Sequence, residues 1–575
     1  MSMNYVAIGK QVELFFSKEA LIYALKGFIA SFLAIYISMA FDLGQPLWAF
    51  LTALFLHTRS ETGFIAQKAA IKVLITAIAV VVSFSILGLF LPYPSLALSC
   101  LALYLAFMAT LSSTITNINL IYAFTMANVT CIIVVLDSVV GAPNISGYSI
   151  FLTVHSRLEQ ILIGAACATA VNYLFFPKKI IDTLSKDCKT IVDQSFDLLE
   201  AVLKYQSERD EYDKHIQKIL STLVAFDNNL TGAKYEGLKS NNYLCLSSKA
   251  LELIKAANNF KLDFASMENN RCRDETINRV LTKVSQLRDK YSCSLKEEIK
   301  ELENSLNIKS LSNLIESLYD VIKVYDDILS KKNTTNQKYY VLTNYYNIPL
   351  IVTSVFRSVL LFGVLSSLWI YTESPKAVFM IIIAAILSQM AAFTPKAHYA
   401  ALFAIVGYVA AVPGAIIALN ILSQALGYFE LLVVVCFIPF FFGFLLIHYN
   451  QLLGLGFTGG VLLTISPSNQ MTFNIADTLG TGAAFLVGVI ATGLIFMLIP
   501  HPQKKLTQMI ATKALRKDIR KFSRLKMSHQ EYLAKIAKKI LCIYDNRISD
   551  DSISNRNLDF ALRSLSYHQK VKGNK

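Results

Sequence analysis

Apolar residues gather into runs of roughly span length, about 20 residues each, and leave a polar middle and a polar tail between and after them. The first six runs are about Ala20 to Phe41, Pro46 to His57, Ala69 to Leu91, Leu96 to Leu111, Leu120 to Val140 and Leu158 to Phe176. The second of these is too short to cross a bilayer by itself, unless Phe64 and its neighbours extend it or the membrane thins there. Six more runs follow: Pro349 to Tyr371, Ala377 to Phe393, Ala400 to Leu422, Leu431 to Ile447, Leu452 to Ile465 and Leu479 to Ile499. Between the two sets the apolar residues fall at helical spacing, as in Ile216, Ile219, Leu220, Leu223 and Val224, which predicts a soluble helical domain. Pro500 and Pro502 stop the last run before an amphipathic tail. The pattern predicts an all-α polytopic membrane protein of about twelve transmembrane helices. Its segments are a first six-helix repeat (1–177), a helical cytoplasmic domain (178–347), a second six-helix repeat (348–502) and a basic helical tail (503–575).

The two sets read as one unit written twice. Lys26 precedes Pro46 much as Arg357 precedes Pro375, Lys68 follows Pro46 as Lys396 follows Pro375, and Gly164 precedes Pro177 as Gly488 precedes Pro500. An even number of spans per half makes such a repeat parallel, related by an axis along the membrane normal.

Composition agrees with this picture: of 575 residues, 54% are hydrophobic and 16% charged, where soluble chains carry about 25% charged residues. The net charge of +14 resides mostly in the tail, where eighteen Lys and Arg stand against six Asp and Glu. A basic segment after a span is a topological and lipid-facing feature, and no nucleic-acid module accompanies it. Lys and Arg at the span ends (Arg59, Lys68 and Lys72; Lys178 and Lys179; Lys504 and Lys505) put both termini and the helical domain in the cytoplasm; Arg157 and Lys376 are exceptions at outer ends. The first run reads as an uncleaved span. Nine scattered cysteines without CxxC spacing argue against a disulfide framework or a zinc site. No Walker, HExxH or GxSxG sequence occurs, so neither an enzyme nor a cofactor is expected.

The candidate chemistry lies in ionisable groups inside apolar runs, where a charge costs about 2.5–3.5 kcal/mol on insertion scales and normally faces a cavity or a partner. Lys26 and Arg357 either snorkel to headgroups or face a central path and attract an anion. Lys72 and Lys396 lie just inside the inner ends of their spans and read either as topology signals or as part of an anion-collecting mouth. Glu159, two residues from Arg157 and therefore on another side of the helix, is the candidate for proton coupling or for an interhelical pair. Trp48 is an interface anchor or a platform for an aromatic substrate.

The stretch PLWAFLTALFLHTRSETGFIAQKAAIKVLITAIA, with Pro46, Trp48, Ala49, Thr52, Gly63 and Lys68, resembles the opening signature of the fusaric-acid-resistance (FUSC) family, which includes p-hydroxybenzoate efflux pumps. RLEQILIGAACATAVNYLFFP, with Arg157, Glu159, Gly164 and Pro177, resembles the close of that family's first half. The family often carries Arg where Lys72 stands, and the corresponding second-half stretch here, SPKAVFMIIIAA, lacks the Trp. The resemblance implies an inner-membrane efflux transporter of small aromatic carboxylic acids or related organic anions. It also implies a periplasmic membrane-fusion adaptor as partner, beside membrane lipid; a homo-oligomer stays open. A passive anion channel on the same scaffold and a non-transporting membrane-anchored interaction protein are the alternatives.

Overall fold

The computed structural model describes residues 15–58, 61–115, 117–140, 146–204, 209–238, 241–265, 280–282, 288, 309–330, 341–390, 397–424, 428–469, 471, 475–524, 528–548 and 551–567. Among these residues every regular element is a helix, and the one β-contact is an isolated bridge between Glu61 and Lys178. The chain divides into two compact units: Met1–Lys179 with Leu350–His501, and Ile180–Pro349 with Pro502–Lys575.

The first unit holds two sets of six helices. The first set is α1 (Lys18–Ala40), α2 (Leu47–His57), α3 (Thr62–Phe90), α4 (Pro94–Thr114), α5 (Ile118–Val140) and α6 (Gly147–Leu174). Between the two sets, the described residues of the second unit form α7 (Ile180–Leu203), α8 (Arg209–Ala233), α9 (Asn241–Ala265) and α10 (Lys309–Leu329). The second membrane set is α11 (Ile348–Thr372), α12 (Val378–Met390), α13 (Ala397–Ser423), α14 (Phe429–Tyr449), α15 (Gln451–Ile465) and α16 (Ile475–Leu498). The tail adds α17 (Lys504–Arg524), α18 (His529–Asp545) and α19 (Ser552–Leu565) to the second unit.

Twelve helices stand where twelve spans were expected, but eight of them are long and apolar enough to cross a membrane: α1, α3, α4, α5, α11, α13, α14 and α16. Helices α2, α12 and α15 are apolar but short. Helix α6 is long, yet Arg157, Glu159, Gln160 and Asn172 interrupt its apolar character. The long helices turn Leu, Ile and Val outward, as with Leu74, Ile78, Val81 and Leu89 on α3. An apolar exterior of this kind suits lipid, which offers the backbone no hydrogen bonds and so demands helices.

Several positions paired by the sequence pattern also have matching surroundings. Asp42 after α1 and Glu373 after α11 both take left-handed backbone, φ 51° and 52°, and so turn the chain sharply into a short helix. Gly164 of α6 lies against Ala49 and Thr52 of α2, and Gly488 of α16 against Met380 and Ile383 of α12; in each case a Cβ would strike the partner's backbone. Asn117 and Asn450 accept backbone N–H bonds at the starts of α5 and α15. Helix α3 packs on α5 and α6, as α13 does on α15 and α16.

The second unit is built from strongly amphipathic helices whose Leu, Ile and Phe residues are buried, among them Ile191, Phe196, Phe226 and Leu311. The segment after α16, read from sequence as a separate tail, joins the middle helices in this one unit. Asn258 donates to the Leu562 carbonyl, Lys538 to Asn344, and the Thr343 N–H to the Ala534 carbonyl.

Candidate functional site

Three short-range facts place the polar chemistry of the first half. Helix α2 begins at Pro46, whose fixed φ suits a helix start. It runs alongside α6 in the same direction, because Gln45 meets Arg157, Thr52 meets Gly164, and His57 meets Asn172. Helices α3 and α5 also run together: Gln67 meets Asn119, Lys72 meets Tyr122, and Ser83 meets Cys131. The end where α1 begins is called basal below, and the opposite end distal.

Toward the basal end, Lys72 is 2% exposed. Its ammonium donates to Thr52 Oγ1 at 2.9 Å and to the Tyr122 hydroxyl at 3.3 Å. Both partners are neutral oxygens, and no carboxylate among the described residues forms an ion pair with it. Lys68, one turn earlier, donates to Thr58 Oγ1 at 3.0 Å, and both ammonium groups lie within 6 Å of the Tyr122 ring centre, close enough for attraction to its π face. A buried cation held by hydroxyls, with no carboxylate among the described residues paired to it, has room in its electrostatics for an anion.

Lys26 and Arg357, the paired cations of the sequence, occupy equivalent places and do the same thing. Lys26 Nζ donates to the Phe176 carbonyl at 3.2 Å, and the Arg357 guanidinium donates twice to the Ile499 carbonyl, at 2.9 and 2.6 Å. Each therefore engages a carbonyl just past the last helix of its own half, where unpaired carbonyls and the helix dipole favour positive charge. The structure does not bring the two together. Lys396 lies outside the described residues.

At the distal end Trp48 donates its indole N–H to Gln45 Oε1 at 2.8 Å and stacks under the Arg157 guanidinium, 4.2 Å from the ring centre. Arg157 also donates to the same Gln45 oxygen at 3.0 Å. Glu159, turned away as its spacing predicts, faces His155 one turn back at 3.3 Å, with both side chains substantially exposed.

His57 is fully buried. Its Nε2 must carry the hydrogen, because its partner there, the Tyr23 carbonyl at 2.9 Å, can only accept; Nδ1 then accepts from Asn172 at 3.2 Å.

Between the two halves lies an apolar cavity of about 820 Å³, its open mouth included. Trp48, Leu51 and Phe55 from α2 line it opposite Phe379 from α12, with Leu455 and Phe485 closing its sides. The Phe55 ring of the cavity wall stands 5.8 Å from that of Tyr122, to which Lys72 donates. Among the described residues no group of three His, Cys, Asp or Glu side chains could hold a metal ion.

Sequence reasoning passed over Tyr122, Asn128 and Gln160. The signal was present in α3, where Lys68, Lys72 and Thr76 repeat every fourth residue and so mark one polar face within an apolar helix.

A duplicated helical membrane unit with a second helical unit split around its second half is matched from end to end by one family pattern, over residues 20–571. The chain belongs to the fusaric acid resistance protein family. Membership makes it a multi-pass membrane protein of a transporter family, not an enzyme. Among its relatives are p-hydroxybenzoic acid efflux pump subunits AaeB. The one from Enterobacter cloacae is 23% identical over 250 residues, covering 42% of this chain and 36% of the relative. That from Citrobacter koseri is 22% identical over the same shares. The chain thus spans 36% of the length of these relatives. No solved structure matches it.

Proposed function

We propose that this FUSC-family protein exports small aromatic carboxylates or related organic anions across the bacterial inner membrane. The observation that carries the reading is Lys72: a buried ammonium that donates to two hydroxyls and, among the described residues, to no carboxylate, with Tyr122 packed on Phe55 of a cavity also lined by Trp48, Phe379 and Phe485. A carboxylate would take the ammonium and the Tyr122 hydroxyl, and its ring would take the apolar wall. Lys26 and Arg357 add positive potential in each half, while direct contact is assigned to Lys72 and Trp48; Lys396 belongs to the same mouth by sequence position. In this reading all twelve helices form two parallel repeats, the short ones reaching part-way or crossing a thinned bilayer. Both termini and the second unit lie in the cytoplasm. Transport is driven by the proton gradient through Glu159 and continues through a periplasmic adaptor, by analogy with relatives that are pump subunits.

The test is uptake of p-hydroxybenzoate into everted vesicles, with and without an uncoupler, for the native chain and for Lys72→Met. Uncoupler-sensitive uptake that the substitution abolishes supports the proposal; uptake indifferent to Lys72 removes the site. One observation favours a passive channel instead: Glu159 faces His155 on an exposed part of α6, away from Lys72. Uptake that ignores the uncoupler and follows the anion's own gradient would select that reading.

A further inference from the structure

Hydrocarbon makes up almost the whole wall of the cavity between the two halves. The exceptions among its side chains are the Met390 thioether and the Trp48 indole, whose N–H is already donated to Gln45. On α15 the lining positions Leu452, Leu455, Gly456, Gly459 and Leu463 recur at i, i+3, i+4, i+7 and i+11, one face of the helix. On α12 the lining extends from Phe379 to Met390, about 16 Å of helix. The cavity is therefore longer than a single benzene ring.

The backbone adds little to this wall. A helix start leaves N–H groups without intrahelical partners, and α15 begins at the cavity with Leu452. Asn450 answers them: its Oδ1 accepts from the Leu452 and Leu453 N–H groups and its carbonyl from that of Gly454. Another cavity of the same unit, about 280 Å³ with its mouth, is built the opposite way. Ser358 of α11 and Gln389 of α12 line it with oxygens that have no partner. An apolar wall is thus a property of this one cavity and not of every gap in the bundle.

The two glycines in the wall do different things. A Cβ on Gly456 would strike the Ala404 backbone, so this glycine serves the crossing of α15 with α13. A Cβ on Gly459 would meet no atom within 4 Å, so this glycine leaves room. A hydroxyl entering such a wall gives up its bonds to water and finds no replacement. Added hydrocarbon, by contrast, gains from each apolar surface it covers.

We propose that this cavity selects the exported anion by its hydrocarbon part: it takes an aromatic carboxylate extended by a second ring and free of ring hydroxyls, and Gly459 sets the size admitted. The proposal rests on the anion-export reading and names the substrate class of that same site. In these terms p-hydroxybenzoate is carried, but less well than its unhydroxylated or larger counterparts.

The experiment compares benzoate, p-hydroxybenzoate and 2-naphthoate for uptake into everted vesicles, above the background of vesicles lacking the protein. The chains are the native one, Gly459→Ala and Gly459→Leu. For the native chain KM should rise on the order of tenfold from benzoate to p-hydroxybenzoate, and fall by a similar factor from benzoate to 2-naphthoate. Gly459→Leu should raise KM for 2-naphthoate several-fold and leave that for benzoate nearly unchanged, with Gly459→Ala between. A native preference for p-hydroxybenzoate, or a leucine that affects all three anions alike, overturns the proposal. Should the leucine lower the melting temperature and abolish all uptake, Gly459→Ala decides by the same comparison. Bromobenzene, an uncharged probe, gives a readout without export: in a Trp369→Phe background it should quench the fluorescence of Trp48, which lines the cavity, and Gly459→Leu should weaken that quenching. Such quenching without uptake of any anion would retain the cavity's chemistry and reject export. Uptake with no preference for size or against the hydroxyl would keep export and overturn this proposal. Absent quenching, with 2-naphthoate no better than benzoate, gives the space to a lipid tail and also overturns it.

Discussion

The two halves of the membrane unit share a blueprint and differ in one crossing. In the first half α3 and α5 meet through Lys72, Tyr122 and the Gln67–Asn119 pair. In the second, α13 and α15 meet through glycine, with Gly407 and Gly456 against bare backbone and Gly460 against Ala411 and Tyr408. Small residues let membrane helices approach closely and pack by van der Waals contact, whereas buried polar side chains hold helices apart and keep their own solvation needs. The same scaffold thus carries one half whose third and fifth helices meet through polar side chains and another where they meet through glycine. What remains common is structural: both halves tie the end of their sixth helix to a cation on their first, Lys26 on the Phe176 carbonyl and Arg357 on the Ile499 carbonyl.

The sharpest way to break this contrast is Lys72→Met. If Lys72 binds the exported anion, uptake of p-hydroxybenzoate should fall by roughly ten- to a hundredfold, the worth of a charge-assisted bond of about 1.5–3 kcal/mol, with the protein still present in the membrane. Retained uptake would take Lys72 out of the binding site. Next in size, Gly407→Val should overpack the α13–α15 crossing and cost about 1–3 kcal/mol of stability, read as a lower melting temperature in detergent. A matching loss of anion selectivity would contradict a purely structural crossing.

Lys26→Met and Arg357→Met should each cost about 1–2 kcal/mol by releasing a helix-end carbonyl. Thermal unfolding should register similar losses for the two, and KM for the exported anion should move little. A large KM change in either variant would return that cation to the path. The smallest effect is expected for Trp48→Phe, which keeps the ring over Arg157 but loses the bond to Gln45, worth about 1 kcal/mol. Measured export should stay within a few-fold of native, since the cavity wall keeps its aromatic ring.

The helical character of the chain could be read from sequence because it depends on local pattern: apolar run length, helical spacing and prolines at the turns. The site was only half legible. Lys72 and Trp48 stood out as a charge and an indole within apolar runs, but the polar partners that give Lys72 its meaning, Thr52 and Tyr122, look like ordinary span residues until α2 and α5 converge on α3. Lys26 and Arg357 stood out for the same reason, yet nothing local reveals that a carbonyl more than a hundred residues away on the chain receives each of them.

By itself, then, the sequence determined that this is a helical membrane protein with a helical polar middle and a basic tail, because hydrophobic periodicity and breaker residues act over a few turns at most. Tertiary structure alone decided that the middle and the tail fold as one unit, and which buried cations are engaged by protein carbonyls and which meet only hydroxyls. The physical reason is that an intramembrane charge is defined by what faces it. Hydrogen bonds such as Lys72 to Tyr122 and Arg357 to Ile499 join helices distant in sequence, so they come into being only when the bundle closes.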